Sequence, residues 1–333
     1  MSNSILVGPL LQGFFSEHLV QHRQVSAQTI ASYRDTFRLL LQFVREKKGI
    51  APAVLTVDAL DAPAILDFLE SLEHQRGNCI RSRNVRLTAI RSFFRVVALR
   101  EPSCLGTATQ VLAIPVKRSD KPLIGYVTRA EVEAILAGLD TQTWQGRRDH
   151  ALLLTMFNTG ARVSEMTALR QEQVRLAPKP SVQLEGKGRK QRLVPLWPNT
   201  AKVLHRWLDE AAPHPESRVF VNRRGQPLTR FGVTHLLREA VQATISKCPD
   251  LAGKKVSPHV FRHGTAMALL QSGVDIAVIA LWLGHESMET THKYVEADLA
   301  MKEKALATLT PPEAEGFRRF RADDSLLEFL ATL

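Results

Sequence analysis

The 333-residue chain is 44% hydrophobic and 23% charged, the balance of an ordinary water-soluble globular protein, and its length exceeds what one core usually fills, so two domains are expected. Lys and Arg number 44 against 33 Asp and Glu, a formal charge of +11 that points to a polyanionic partner, nucleic acid ahead of an anionic membrane surface. Three cysteines without CxxC spacing argue against a disulfide framework and a structural zinc site; no apolar run offers a membrane span, and the N-terminus lacks the charged start of a signal peptide, so a cytoplasmic protein is expected.

The N-terminal part reads as wholly helical. In SAQTIASYRDTFRLLLQFVREKKG, Ile30, Tyr33, Phe37, Leu40, Leu41 and Val44 recur on one face, with Ser26 as N-cap and Gly49 as stop. APAILDFLESLEHQRG gives a second helix closed by glycine. The third, CIRSRNVRLTAIRSFFRVVALREP, ends before Pro102, and its Val85, Ile90, Phe93, Phe94 and Val97 are expected to pack inward. It also carries Arg81, Arg83, Arg86, Arg91 and Arg95, without alternating acidic residues four positions on; these are either a solvated face or, the reading preferred here, phosphate contacts. LAIPVKRSDKPLIGYVT, with Pro115, Pro122 and a basic cluster, reads as a linker suited to lying along nucleic acid.

Thr128-x-x-Glu131 is a capping box opening the next helix. Helices continue through RRDHALLLTMFNTGARVSEMTAL, and SVQLEGKGRKQRLVPLW then reads as two short strands around a Gly-Lys-Gly turn. RVFVNRRGQPLT offers another extended piece, and from RFGVTHLLREAV to about Leu309 the chain is again helical. After Pro311 and Pro312 come a basic patch, FRRFR, and an amphipathic ending, SLLEFLATL.

Chemistry-bearing residues cluster in four stretches. In NTGARVSEMTALR, Gly160 suits the left-handed close of one helix and sets Arg162 near the start of the next; an anion there satisfies both the guanidinium and the helix dipole, and Glu165 one turn on can hold the local geometry. Lys187 tips the turn in EGKGRKQRLVP, as a solubilising lysine or, beside arginines, as a proton donor or phosphate clamp. In SPHVFRHGTAMALL, His259 and Arg262 share a helical face; His259 and His263 have zinc-helix spacing, but Val260 stands where HExxH needs its Glu and Arg262 repels a cation, so no metal is expected. LWLGHESMETTHKYVEAD sets His285 nine positions before Tyr294, one of 3 tyrosines, which is either an ordinary half-buried aromatic or a nucleophile.

Taken in order, Arg162, Lys187, His259, Arg262, His285 and Tyr294 resemble the tyrosine recombinase family, the phage integrases and Xer-type recombinases, over nearly the whole chain. TGARVSE is similar to the box of the first arginine, GKGRKQRLVP to the β-hairpin lysine motif, PHVFRH to the His-x-x-Arg box and LGHESMETTHKYV to the Leu-Gly-His…Tyr box. The resemblance implies a mainly α protein with a small β-hairpin element. Its expected parts are a helical, SAM-like core-binding domain over 1–112, a linker over 113–125 and an α+β catalytic domain over 126–333 with a tail helix, the two domains forming a C-shaped clamp on DNA.

The resemblance further implies a site-specific recombinase on double-stranded DNA. Arg162 and Arg262 would bind the nonbridging phosphate oxygens and His285 the same phosphate; Tyr294 would attack, His259 act as its base and Lys187 protonate the 5′-oxygen. The 3′-phosphotyrosyl link keeps the bond energy, so no ATP, metal or other cofactor is expected. Four copies would exchange strands on two duplexes through a Holliday junction, with SLLEFLATL docking on a neighbour or capping its own core. Two other readings are type IB topoisomerase-like relaxation, disfavoured by the separate helical domain, and a non-catalytic accessory factor, disfavoured by the complete set of polar groups. Gly264 stands where family members often carry threonine, and His263 and His292 read as bystanders.

Overall fold

The computed structural model describes residues 5–120, 124–186, 188, 190–210 and 217–297. The chain divides into two compact units, Met1–Lys121 and Pro122–Leu333.

In the first unit, α1 (Val7–Gly13) runs on into a wider π-helical stretch, Phe14–His22, and is followed by α2 (Ala27–Lys48), α3 (Ala62–His74), α4 (Ile80–Arg100) and α5 (Leu105–Ala113). The hydroxyl of Ser26 accepts from the Thr29 amide at 3.2 Å and Gly49 ends α2, as the spacing predicts. Apolar stripes from these helices meet in one core in which Phe93 packs edge-on against Phe14 and Phe37, with ring centroids 5.6 and 5.3 Å apart. Each such fully buried phenylalanine contributes about 1.5–3 kcal/mol.

Helix α4 corrects one expectation. Leu87, Ile90, Phe94 and Val97 are buried, but Val85 is 47% exposed, because a residue two positions before Leu87 points to the opposite side of the helix. Three of the five arginines make polar contacts within the unit. Arg83 is buried, its Nε 3.4 Å from Glu73 on α3 and its Nη1 donating to the Pro115 carbonyl. Arg86 donates to the Ser32 carbonyl and the Thr36 hydroxyl on α2, and Arg91 donates twice to the Leu112 carbonyl of α5. The acid that α4 lacks is thus supplied by Glu73, aided by carbonyls, while Arg81 and Arg95 stay exposed. The basic stretch expected to be a linker is fastened at its start: Asn84 and the Lys117 backbone exchange two hydrogen bonds, and the Lys117 ammonium lies 2.9 Å from Glu73.

In the second unit, α6 (Arg129–Ala137) opens with the predicted capping box. Helix α7 (Trp144–Thr159) is buried on nearly every side from Ala151 to Thr159, as its all-round apolar sequence requires, and is the centre of the unit. Helix α8 (Val163–Ala168) leads to a three-stranded antiparallel sheet, β1 (Val174–Arg175), β2 (Ser181–Glu185) and β3 (Gln191–Pro195), in the order β1-β2-β3 with Val182 opposite Val194. The predicted hairpin is β2–β3, whereas RVFVNRRGQPLT forms only isolated bridges, among them Val221 with Pro227. Helices α9 (Pro198–Glu210), α10 (Arg230–Thr244), α11 (Pro258–Gln271), α12 (Ile276–Leu283) and α13 (Glu289–Ala297) complete the described part. Lys187, FRRFR and SLLEFLATL lie outside the described residues.

The chain is therefore mainly α with one small antiparallel sheet, as the resemblance implied. No helix among the described residues is long and apolar enough to cross a membrane. Gly264 has a packing reason: a Cβ there would lie 2.5 Å from the Val127 carbonyl oxygen and 2.8 Å from its Cγ2. Gly264→Ala is expected to destabilise the unit by about 1–3 kcal/mol through overpacking, read as a lower denaturation midpoint.

Candidate active site

Two helix ends hold two arginines. Helix α7 stops at Gly160, whose φ of 58° is left-handed and where a Cβ would lie 2.4 Å from Leu283 Cδ2, so only glycine fits. That turn sets Arg162 at the N-cap of α8 and turns the Gly160 carbonyl toward Arg262. Arg262, 2% exposed, donates from Nη1 to Gly160 at 2.5 Å and from Nη2 to the Leu283 carbonyl at 2.6 Å. Arg162 donates to the carbonyl of Gly284, the left-handed residue closing α12, at 3.0 Å. Burial first, then repulsion by Arg162, lowers Arg262 to about 10, still charged at neutral pH.

Glu165 is buried and accepts from the Arg162 amide at 2.7 Å, from Arg162 Nη1 at 2.8 Å and from Arg192 Nη1 and Nη2 at 2.9 and 2.8 Å. Burial alone would raise its pKa; the hydrogen bonds and charge of Arg192, with those of Arg162, outweigh it and hold the carboxyl below its usual range. Arg192 also donates from Nε to the Trp282 carbonyl at 2.9 Å, joining β3, α8 and α12. Sequence reasoning missed Arg192. The signal was the strand period: Arg192 shares a face with buried Val194, while Leu193, the apolar residue between them, is 68% exposed.

Arg192→Leu should cost about 3 kcal/mol, because it strips a buried carboxylate of its bidentate partner. The double change with Glu165→Leu should recover part of that loss in a denaturation cycle.

Tyr294 on α13 is 2% exposed, and its Oη lies 3.0 Å from Nδ1 of His263 on α11. The His285 ring stacks on Tyr294, centroids 6.1 Å apart, and its Nδ1 is 2.8 Å from the Thr291 hydroxyl. Burial first, then the charges of Arg262 and Arg162, holds His285 at about 3. Burial, with His259, Arg262 and Lys293, holds His263 at about 4. Burial pushes the Tyr294 phenol up against the pull of Arg262 and Arg162. At neutral pH the arginines therefore carry the charge, and His263, His285 and Tyr294 are neutral.

His259, the base expected from sequence, is exposed, with its ring edge-on to His263 at 4.3 Å. His263, read as a bystander, is the histidine hydrogen-bonded to the tyrosine, whereas His292 is exposed. Gly186, which follows β2, lies beside the first arginine, since a Cβ on it would lie 3.2 Å from Glu165 Oε1 and 3.6 Å from Arg162 Nη1. A cavity of about 340 Å³ there is lined by Arg162, Gly186, Lys190, Arg192, His285 and Thr290 among others. Among the described residues, no three His, Cys, Asp or Glu side chains gather where they could hold a metal ion.

Residues 126–301 match the phage integrase family, and residues 13–101 match the phage integrase, N-terminal SAM-like domain. The protein y4rC of Sinorhizobium fredii (strain NBRC 101917 / NGR234), an integrase/recombinase by name, is 46% identical over 100% of both chains. Tyrosine recombinase XerC of Pelobacter propionicus (strain DSM 2379 / NBRC 103807 / OttBd1) is 30% identical over 90% of this chain and 96% of its own. Among solved structures, XerH site-specific recombinase bound to palindromic difH substrate, a post-cleavage complex, has the same fold, with a TM-score of 0.68 at 21% identity over 86% of this chain and 81% of that one. With both regions matched and a relative alike from end to end, the chain belongs to the phage integrase family, the tyrosine recombinases, enzymes that transfer DNA strands in site-specific recombination.

Proposed function

We propose that this chain cuts and rejoins double-stranded DNA at a specific site through a 3′-phosphotyrosyl intermediate on Tyr294. The observation that carries the reading is the meeting of four sequence-distant groups: Arg162 and Arg262 are gripped by carbonyls at the end of α12, His285 follows directly, and its ring lies against Tyr294. Among the described residues the site and its cavity hold Arg162, Arg192, Arg262 and Lys190 against the carboxylates of Glu165 and Glu286, so it has an excess of positive charge that a phosphate would offset.

Arg162 and Arg262 donate to the nonbridging oxygens, each worth about 3–4 kcal/mol in the transition state, and His285 adds a hydrogen bond. As Tyr294 Oη bonds to phosphorus, His259 on α11 receives its proton, the bond to the 5′-oxygen breaks, and Lys187 protonates that oxygen. A 5′-hydroxyl from the partner strand reverses these steps, so neither nucleotide nor metal takes part. Because Tyr294 is 2% exposed, α13 shifts when DNA enters.

The helical unit 1–112 and the catalytic unit 126–333 clamp the duplex across the linker 113–125, with Arg81 and Arg95 on its phosphates, and four copies join two duplexes into a Holliday junction at the nucleoid. An apolar groove of about 870 Å³, lined by Val132, Leu136, Leu154, Phe157, Trp197 and Leu269 among others, suits the neighbour's SLLEFLATL, whose Leu326, Phe329, Leu330 and Leu333 recur at helical spacing. A plasmid carrying two copies of the native flanking DNA, incubated with protein and chelator, tests the reading. Deletion or inversion products are expected. Relaxed topoisomers without exchange would favour the topoisomerase-like reading instead.

A further inference from the structure

We propose that Arg192 on β3 is a positioning residue for cleavage, fixing both anchors of Arg162 and so aiming that guanidinium at the scissile phosphate; this rests on Arg162 being a phosphate ligand. The last carbonyls of a helix have no donor within it, and that end of the helix favours cations. At the end of α12, three consecutive carbonyls accept from three arginines: Trp282 from Arg192 at 2.9 Å, Leu283 from Arg262 at 2.6 Å and Gly284 from Arg162 at 3.0 Å. Of the three, Arg192 is the one with no assigned part in the chemistry.

The side chain of Arg162 donates to Glu165 Oε1 at 2.8 Å and to the Gly284 carbonyl at 3.0 Å. Arg192 holds both of these anchors. Its Nη1 and Nη2 donate to the two oxygens of Glu165 at 2.9 and 2.8 Å, and its Nε donates to Trp282, two residues before Gly284. A ring of contacts thus closes from Arg162 through Glu165, Arg192, Trp282 and Gly284 back to Arg162. The bidentate fork fixes the carboxylate in plane as well as in distance, which a single contact does not. Both arginines line the cavity beside the site. All three nitrogens of Arg192 are committed to the ring, and its side chain is 11% exposed against 34% for Arg162. Arg162 is therefore the one left open to a phosphate, and Arg192 the one that holds it. The ring joins β3, α8 and α12 without α13, so it makes no use of the position of Tyr294. A long guanidinium side chain is useful only where it is preorganised, and misplacement by about 1 Å costs about 10²-fold in rate.

Single-turnover cleavage of a nicked duplex site at saturating protein, measured beside DNA binding and urea denaturation, tests this with Arg192→Gln, Arg162→Ala and the two together. Arg192→Gln is expected to bind DNA as wild type does and to cleave about 10²-fold more slowly. Arg162→Ala is expected to cleave about 10²–10³-fold more slowly. The pair should be no slower than Arg162→Ala alone, because Arg192 acts through Arg162. Arg192→Gln strands the buried Glu165 carboxylate, so Glu165→Gln with Arg192→Gln serves as the stability control: its melting recovers while its cleavage stays slow. A methylphosphonate at the scissile position, which lacks the charge of a nonbridging oxygen, gives a readout that folding does not move. On it the deficits of Arg162→Ala and Arg192→Gln should shrink together.

Four results would overturn the assignment. The first is cleavage at wild-type rate by folded Arg192→Gln. The second is a pair slower than Arg162→Ala by the full Arg192 factor, which makes Arg192 a separate phosphate ligand or a residue of the fold alone. The third is cleavage restored by adding Glu165→Gln, which makes the defect one of stability. The fourth is a methylphosphonate gain in Arg162→Ala that Arg192→Gln does not share. Arg162→Ala at wild-type rate would overturn the phosphate reading itself. If Arg162→Ala is slow while Arg192→Gln is folded and normal, only the positioning role falls.

Discussion

Tyr294→Phe is expected to bind its DNA as the unaltered chain does and to form no covalent adduct on a denaturing gel. The substitution removes one oxygen and leaves the ring in its cluster with Ala266, Met267, Leu270, Ile279 and Leu283. The lost hydrogen bond to His263 is worth about 0.5–1.5 kcal/mol, too little to unfold the domain, and deleting the hydroxyl also removes the desolvation cost of burying it. Stability and affinity should therefore hardly move while the chemistry disappears. A structural tyrosine would give the reverse pattern, lower stability with cleavage intact.

Arg262→Gln has the second largest expected effect, and it too separates catalysis from stability. Loss of one preorganised cationic donor slows cleavage about 10²–10³-fold. The variant also gives up two buried hydrogen bonds to carbonyls, nominally about 1–3 kcal/mol for each group left unpaired. Against that, Arg262 is a buried charge repelled by Arg162 and Arg192 and attracted by Glu165, and its removal relieves that cost. The two terms are of similar size, so the unfolding free energy should change by no more than about 1–2 kcal/mol. Arg262→Lys keeps the charge, but a single ammonium cannot span the carbonyls of Gly160 and Leu283 as the planar fork does, so its cleavage rate should fall between the other two. Urea denaturation and single-turnover cleavage on the same preparations check both halves.

What could be read in the sequence follows from the range of each interaction. Caps and periods are local, so the Ser26 cap, the Thr128–Glu131 box, the left-handed Gly160 and the β2–β3 hairpin were all legible. Motif order likewise gave the family and singled out Arg162, Arg262, His285 and Tyr294, which the fold brings together. The misses depend on packing between segments. Arg83 looked unpaired along α4 because its carboxylate, Glu73, is on α3, and Arg86 and Arg91 end on carbonyls that no residue-type pattern reveals. Arg192 escaped because its partners are Glu165 and the Trp282 backbone, one on each side of it in the chain and far off in both directions. Whether Tyr294 meets His259 or His263 is set by the placement of α13 on α11, a single turn that helical spacing alone leaves open.

The most direct measurement is mass spectrometry of the trapped adduct. The protein is cleaved on a nicked site, the DNA trimmed with nuclease, and the nucleotide-bearing peptide sequenced. The account predicts a 3′-phosphonucleotide on Tyr294, in the tryptic peptide that begins after Lys293. Modification of Tyr33, of Tyr126 or of any serine would contradict it, whatever the rates of the variants.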